Sequence, residues 1–195
     1  LPAASDDEID SVLLRAGIPP RGNYLCFALR NWKGFESKAP LFGQAAKYAY
    51  ETYGLTPVFA AVEKHLDPGA GRLAVAGLDI PHYFLDDAGS AGTIIGALSR
   101  MQAVVSMRLH ALIFAAGQGI PLAGVVYDPK VSSFLRYIGQ ENFADLDALT
   151  PDLLKSMIDR VAAAPISPEE QEAAVRKLRQ TEQVNVETAR RLLGV

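Results

Sequence analysis

The chain has 195 residues, one cysteine and a net charge of −3, and it is 49% hydrophobic and 21% charged. That is enough for one domain with a sizeable core, and so slight an acidic balance gives no reason to expect nucleic acid or an anionic membrane surface as partner. A lone Cys26 excludes an internal disulfide and fits a reducing compartment, and no stretch reads as a bilayer span or a signal peptide.

The start, Leu1-Pro2-Ala3-Ala4-Ser5, suits either a piece of a longer protein or a natural small domain. Ser5-Asp6-Asp7-Glu8 reads as a capped, acidic helix start, with the helix running to about Ala16 and stopped by Pro19 and Pro20. Asn23 to Leu29 is the first buried strand, and Lys38 to Tyr53 is a helix closed by Gly54. Thr56 to Val62 is the second strand. Asp67 and Pro68 open a short helix carrying Leu73 and Val75, weakened by Gly69 and Gly71. His82 to Leu85 is the third strand, and Ser90 caps a helix to Arg100. Ala103 to Met107 is the fourth strand, and Leu109 to Ala116 is a helix closed by Gly117 or Gly119. Pro121 to Val126 is the fifth strand, followed by a short helix from Lys130 to Ile138. Phe143 to Leu146 makes a small sixth strand, and Pro151 to Ala163 a helix. The C-terminal stretch, residues 164–195, holds a long amphipathic helix from Pro168 to Leu193 that packs on or across the domain, with Val175, Leu178, Val186, Ala189 and Leu193 near helical spacing.

Alternating apolar runs and helical stretches are the pattern of βαβ units. Strands this apolar are buried on both faces, so the fold class is α/β: one Rossmann-like, doubly wound parallel sheet of about six strands covered by helices over residues 1–195. Right-handed crossovers favour the order 3-2-1-4-5-6. The winding then reverses between strands one and four, and ligands bind at the carboxyl ends of those two strands.

Arg30 follows strand one, and Arg108 and His110 follow strand four, so all three face one crevice. Arg108 and His110 also open a helix, where free N–H groups and the positive dipole end attract anions. Two guanidinium forks and an imidazole suit a carboxylate, a phosphate or a ligand bearing both. An isolated arginine more often pairs with a surface carboxylate; three cationic groups on two adjacent strand ends favour a site. Lys130, in Tyr127-Asp128-Pro129-Lys130 beside the same crevice, is placed to reach a phosphate, while Asp128 reads as a helix cap. His65 and Asp67 follow strand two, one strand from the crevice; His65 reads as a solvated loop residue, and His82 has no assigned role. There is no GxxxxGK[ST], no GxGxxG after strand one, no zinc-ligand spacing and no GxSxG, and Arg30-Asn31-Trp32 in place of glycines counts against a dinucleotide site.

Met107-Arg108-Leu109-His110-Ala111-Leu112-Ile113-Phe114-Ala115-Ala116, then Gly119-Ile120-Pro121-Leu122, then Tyr127-Asp128-Pro129-Lys130-Val131, resembles the polysaccharide pyruvyl transferase family in order and approximate spacing. Leu29-Arg30-Asn31-Trp32 is similar to the family's strand-one arginine motif. The resemblance implies two Rossmann-like halves, as in GT-B glycosyltransferases, with this chain as the second half, Leu1 to Ala4 entering it, and the first half as a missing partner. It implies a transferase of cell-wall or other cell-surface polysaccharide biosynthesis that moves the enolpyruvyl unit of phosphoenolpyruvate onto two hydroxyls of one sugar, free or on a lipid-linked precursor. No cofactor is implied. The location implied is cytoplasmic, at the inner face of the membrane for a lipid-linked acceptor. Arg30 and Arg108 would clamp the donor, the backbone at Leu109 would add an N–H, and Lys130 would assist. His110 would bind phosphate as a cation or act as the acid. The glycan acceptor would lie mainly against the missing half. Two other readings stay open: a GT-B-like glycosyltransferase half binding a sugar nucleotide, and a non-catalytic anion-binding module.

Overall fold

The computed structural model describes residues 2–163 and 167–193. The apolar runs form β1 (Tyr24–Ala28), β2 (Thr56–Ala60), β3 (Tyr83–Leu85), β4 (Ala103–Ser106), β5 (Leu122–Val126) and β6 (Phe143–Asp145). Every pairing is parallel, and the order is β3-β2-β1-β4-β5-β6, as the crossover rule requires. β1, β4 and β5 are buried along their whole length, which is why their sequences run apolar without alternation.

Two apolar clusters cover the two faces of the sheet. One collects α1 (Asp6–Arg15), α4 (Ala91–Ser99), α5 (Leu109–Gly117) and α6 (Pro129–Tyr137); the other collects α2 (Phe35–Tyr53), α3 (Pro68–Ala74) and α7 (Pro151–Ala162). Cys26 lies in the first cluster, fully buried, and burial pushes its thiol up to about 12. It therefore stays protonated and packs as a small hydrophobe.

The caps follow the sequence signals. Ser5 and Glu8 form a capping box, and Ser90, Asp128 and Thr150 each accept an N–H of the helix they precede. Two boundaries differ by more than one residue. α2 starts at Phe35, a turn before Lys38, because Phe35 is fully buried and packs 5.7 Å from Phe42. β2 ends at Ala60 because the N–H groups of Val62 and Glu63 turn onto the Asp67 carboxylate.

α2 and α3 meet at Gly43, where an added Cβ would stand 2.2 Å from the Ala74 carbonyl oxygen. Alanine is the better helix former by about 1 kcal/mol, but here backbone would have to move. Gly43→Ala is therefore expected to destabilise the domain by about 1–3 kcal/mol, read as a lower urea midpoint at unchanged slope; a rise in the midpoint would refute the close approach.

The long helix forms as α8 (Pro168–Leu193) and packs against α5. Its amphipathic stripe is only partly used. Leu178 packs against the first cluster, whereas Val186 and Leu193 are exposed, at 48% and 76%. Helical spacing fixes which residues share a face but not how far the domain beneath that face extends. The side chain of Ala189, and Leu1, residues 164–166, 194 and 195, lie outside the described residues.

Candidate functional site

Register places the two arginines. Ala28 of β1 pairs with Ser106 of β4, so two residues further on Arg30 and Arg108 leave adjacent strand ends at the same level. The Ser106 hydroxyl fixes this junction. Its one proton can go to the Ala28 carbonyl at 3.2 Å or the Arg108 carbonyl at 3.0 Å, and its oxygen accepts the Arg108 N–H at 2.8 Å. β1, β4 and the start of α5 are thereby tied together just below the crevice.

Arg108 is nearly buried, at 9% exposure, and its Nε lies 3.2 Å from Oδ2 of Asp67, itself 3% exposed. The same Oδ2 accepts the N–H groups of Val62 and Glu63 at 3.1 and 2.8 Å. Among the described residues, Arg108 Nη1 and Asp67 Oδ1 are buried without a hydrogen-bond partner. Burial raises the Asp67 carboxyl above the ordinary carboxylate value, against the lowering pull of the Glu63 N–H, Arg108, the Val62 N–H and Arg30. Both arginines therefore act on one carboxylate, and Asp67 holds Arg108 by its Nε edge only.

Arg30 is half-buried and turns the other way. Its Nη1 donates to the Tyr127 hydroxyl at 3.3 Å, and its guanidinium carbon lies 5.2 Å from the centre of the Trp32 ring and 5.7 Å from that of Tyr127. Such stacking desolvates the guanidinium faces and leaves its edge for a ligand.

α5 begins directly after Arg108, and no side chain caps it. The first-turn N–H groups, those of Leu109 and His110 among them, are thus directed at the crevice. His110 is exposed and its ring centre lies 6.2 Å from that of Phe114. It lines a cleft of about 330 Å³ with Glu63, Lys64, Asp86, Asp87 and Ser90. Lys64 already pairs with Asp87 at 3.2 Å across that cleft.

The structure thus brings Arg30, Arg108, Leu109 and His110 to one end of the sheet. Lys130 stands apart: it is exposed, and its ammonium lies 3.6 Å from the Asp128 carboxylate. His65 is exposed, and His82 faces the Ile80 carbonyl and the rings of Phe59 and Phe84. Sequence reasoning missed three things: Asp67 as the carboxylate holding Arg108, the Ser106 staple, and the stacking of Arg30 on Trp32 and Tyr127. For Asp67 one signal existed, an Asp-Pro helix start on the loop after the strand next to β1.

The family model for polysaccharide pyruvyl transferases matches residues 3–129. That span includes Arg30, Arg108, Leu109 and His110 and stops one residue before Lys130. Comparison with curated proteins gives no match. Among solved structures, the glycotransferase of kitacinnamycin is similar over 83% of this chain and 40% of its own, with a TM-score of 0.57 and 15% identity. CalG4, the calicheamicin glycosyltransferase, is similar over 88% of this chain and 43% of its own, with a TM-score of 0.51 and 18% identity. These two likenesses concern the fold, that of GT-B glycosyltransferases, and the chain spans less than half the length of either.

Proposed function

The chain belongs to the polysaccharide pyruvyl transferase family, and on that premise we propose that its crevice binds phosphoenolpyruvate for ketal transfer to a sugar. The observation that carries this is the level pairing of Arg30 and Arg108 on adjacent strands, beside a helix start that no side chain caps. A donor with a carboxylate and a phosphate needs two anion sites a few ångströms apart. Two guanidinium edges and a turn of backbone N–H groups supply them.

In the transfer, two acceptor oxygens form bonds to C2 of the enolpyruvyl unit and the C2–O bond to phosphate breaks. One hydroxyl proton is matched by the proton gained at the methylene, which becomes a methyl; the other leaves with the phosphate. Arg30 and Arg108 hold the donor's charges. The N–H of Leu109 adds to the phosphate side. We assign His110 to the proton delivered to the methylene, since its exposed ring stands on the first turn of α5, two residues after Arg108. Lys130 contributes at most a distant charge, being engaged with Asp128. The other half of a GT-B-like pair would close the crevice, and turnover would need it.

Calorimetric titration of this chain with phosphoenolpyruvate and, separately, with a uridine-diphosphate sugar tests the reading. Saturable binding of the first at lower concentration is expected; tighter binding of the nucleotide sugar would make the crevice a glycosyltransferase donor site. His110→Ala is expected to keep most of the donor affinity and to abolish pyruvyl transfer by the two-half enzyme. Wild-type binding that weakens as pH rises through the imidazole range, and is lost in His110→Ala, would make His110 a phosphate ligand instead.

A further inference from the structure

On the other side of Arg30 the strand ends form a second cleft, of about 720 Å³, lined among others by Trp32, Tyr127, Ser132, Asp128, Asp145 and Asp147. Lys38 ties its far wall, donating from α2 to the carbonyls of Asp147 and Leu149 at 2.9 and 3.0 Å. Trp32 is a large aromatic left 42% exposed. Its ring centre is 5.0 Å from that of Tyr127, the planes tilted by 55°, and Arg30 is stacked on both. The indole is therefore held in place while a large part of it stays exposed. Asp145 and Asp147 are exposed, and among the described residues neither carboxylate has a bonded or ion-paired partner.

We propose that this cleft is a binding site for a neutral pyranose of the acceptor glycan, which stacks on Trp32 and gives its hydroxyls to Asp145 and Asp147, so that the acceptor contacts this half as well as the missing one. The assignment rests on the donor reading given above and adds to it where the second substrate sits. The C–H face of a pyranose is apolar with a partial positive charge, matching the negative face of an indole. Its hydroxyls are donors, and ionised carboxylates are pure acceptors that bond them with charge assistance. Of the three lining carboxylates Asp128 is met by Lys130 at 3.6 Å, whereas Asp145 and Asp147 stand open and disfavour a phosphate or a second carboxylate beside them. An anionic donor is thereby sent to the Arg30 and Arg108 side and an uncharged sugar to the Trp32 side. Arg30 packs on Trp32 and Tyr127, two of the residues that line this cleft, so two substrates bound this way would be neighbours.

Trp32 is the only tryptophan in the chain, so all indole fluorescence arises at this cleft, and a change passed on by donor binding at Arg30 is separated by titrating sugar at fixed donor. The full chain is titrated with methyl glucoside, galactoside and mannoside. Fluorescence and saturation transfer to the sugar C–H protons are recorded together, with and without saturating phosphoenolpyruvate. At least one pyranoside is expected to shift the Trp32 emission and receive saturation, with affinity kept in the presence of the donor. Trp32→Ala should weaken saturation transfer about tenfold or more, with Trp32→Tyr recovering part of it. Asp145→Asn/Asp147→Asn, at two exposed positions, should weaken it while leaving donor binding unchanged. If phosphoenolpyruvate binds and no pyranoside does, the sugar site is wrong and the donor reading stands. If a pyranoside binds at Trp32 and phosphoenolpyruvate binds nowhere, the donor reading is the one lost. Uridine monophosphate shifting Trp32 more tightly than any pyranoside would overturn the sugar assignment in favour of base stacking.

Discussion

Arg108→Ala is expected to weaken phosphoenolpyruvate binding about ten- to a hundredfold, the value of one charge-assisted hydrogen bond of roughly 1.5–3 kcal/mol. The guanidinium is anchored at Nε by Asp67, and its buried Nη1 has no hydrogen-bond partner among the described residues. A fork already oriented and desolvated loses little freedom when an anion arrives. Its charge also acts beside the first turn of α5, so the N–H groups and the guanidinium address one ligand. Lys130→Ala is expected to do much less. That ammonium is exposed, on a flexible stem, and shared with Asp128. Isothermal titration of both variants at matched ionic strength decides it. Equal affinity for wild type and Arg108→Ala would remove Arg108 from the site and the functional reading with it.

Asp67→Ala should produce the largest loss of stability of any substitution at the site, roughly 3–5 kcal/mol, or a fall in Tm on the order of 10 °C for a chain of this size. The variant leaves the Arg108 charge buried and unpaired, and it removes the acceptor of two backbone N–H groups. Asp67→Leu combined with Arg108→Met separates folding from binding. Replacing both partners of a buried pair with apolar groups of similar shape costs little and can stabilise. The double variant should therefore recover the share of the loss that comes from the unpaired Arg108 charge, though not the share from the Val62 and Glu63 N–H groups, yet bind phosphoenolpyruvate as poorly as Arg108→Ala. The pH dependence has a definite sign. Burial raises the Asp67 carboxyl in the folded chain, so the native state holds this proton more tightly than the unfolded state. The contribution of the group is fully present below the ordinary carboxylate value and is lost as pH rises through the raised one. Wild type should thus gain stability relative to the double variant as pH falls into the carboxylate range. Chemical denaturation across that range reads the difference, and an opposite trend would mean that Asp67 is stabilised, not penalised, as a carboxylate in the fold.

Much of the site was legible in the chain because it follows from topology. Unbroken apolar runs such as Tyr24–Ala28 and Ala103–Ser106 require burial on both faces. Helices between them require crossovers, and the hand of a crossover is fixed by chain chirality. Those local and chiral rules alone put Arg30, Arg108 and His110 at one end of two neighbouring strands. Spacing likewise gave the caps, since an Asx or Ser residue acts on N–H groups within its own turn.

The partners of the cations were decided by tertiary structure. That Arg108 meets Asp67, and that Arg30 rests on Trp32 and Tyr127, depends on where the loops after β1, β2 and β5 turn back over the sheet. The long reach of α8 past its support, with Val186 and Leu193 exposed, is of the same kind. Periodicity encodes a face and register encodes a level, because both repeat along the backbone. Which side chains then pair is a matter of desolvation and fit between segments far apart in sequence, and that exists only once the sheet has been assembled.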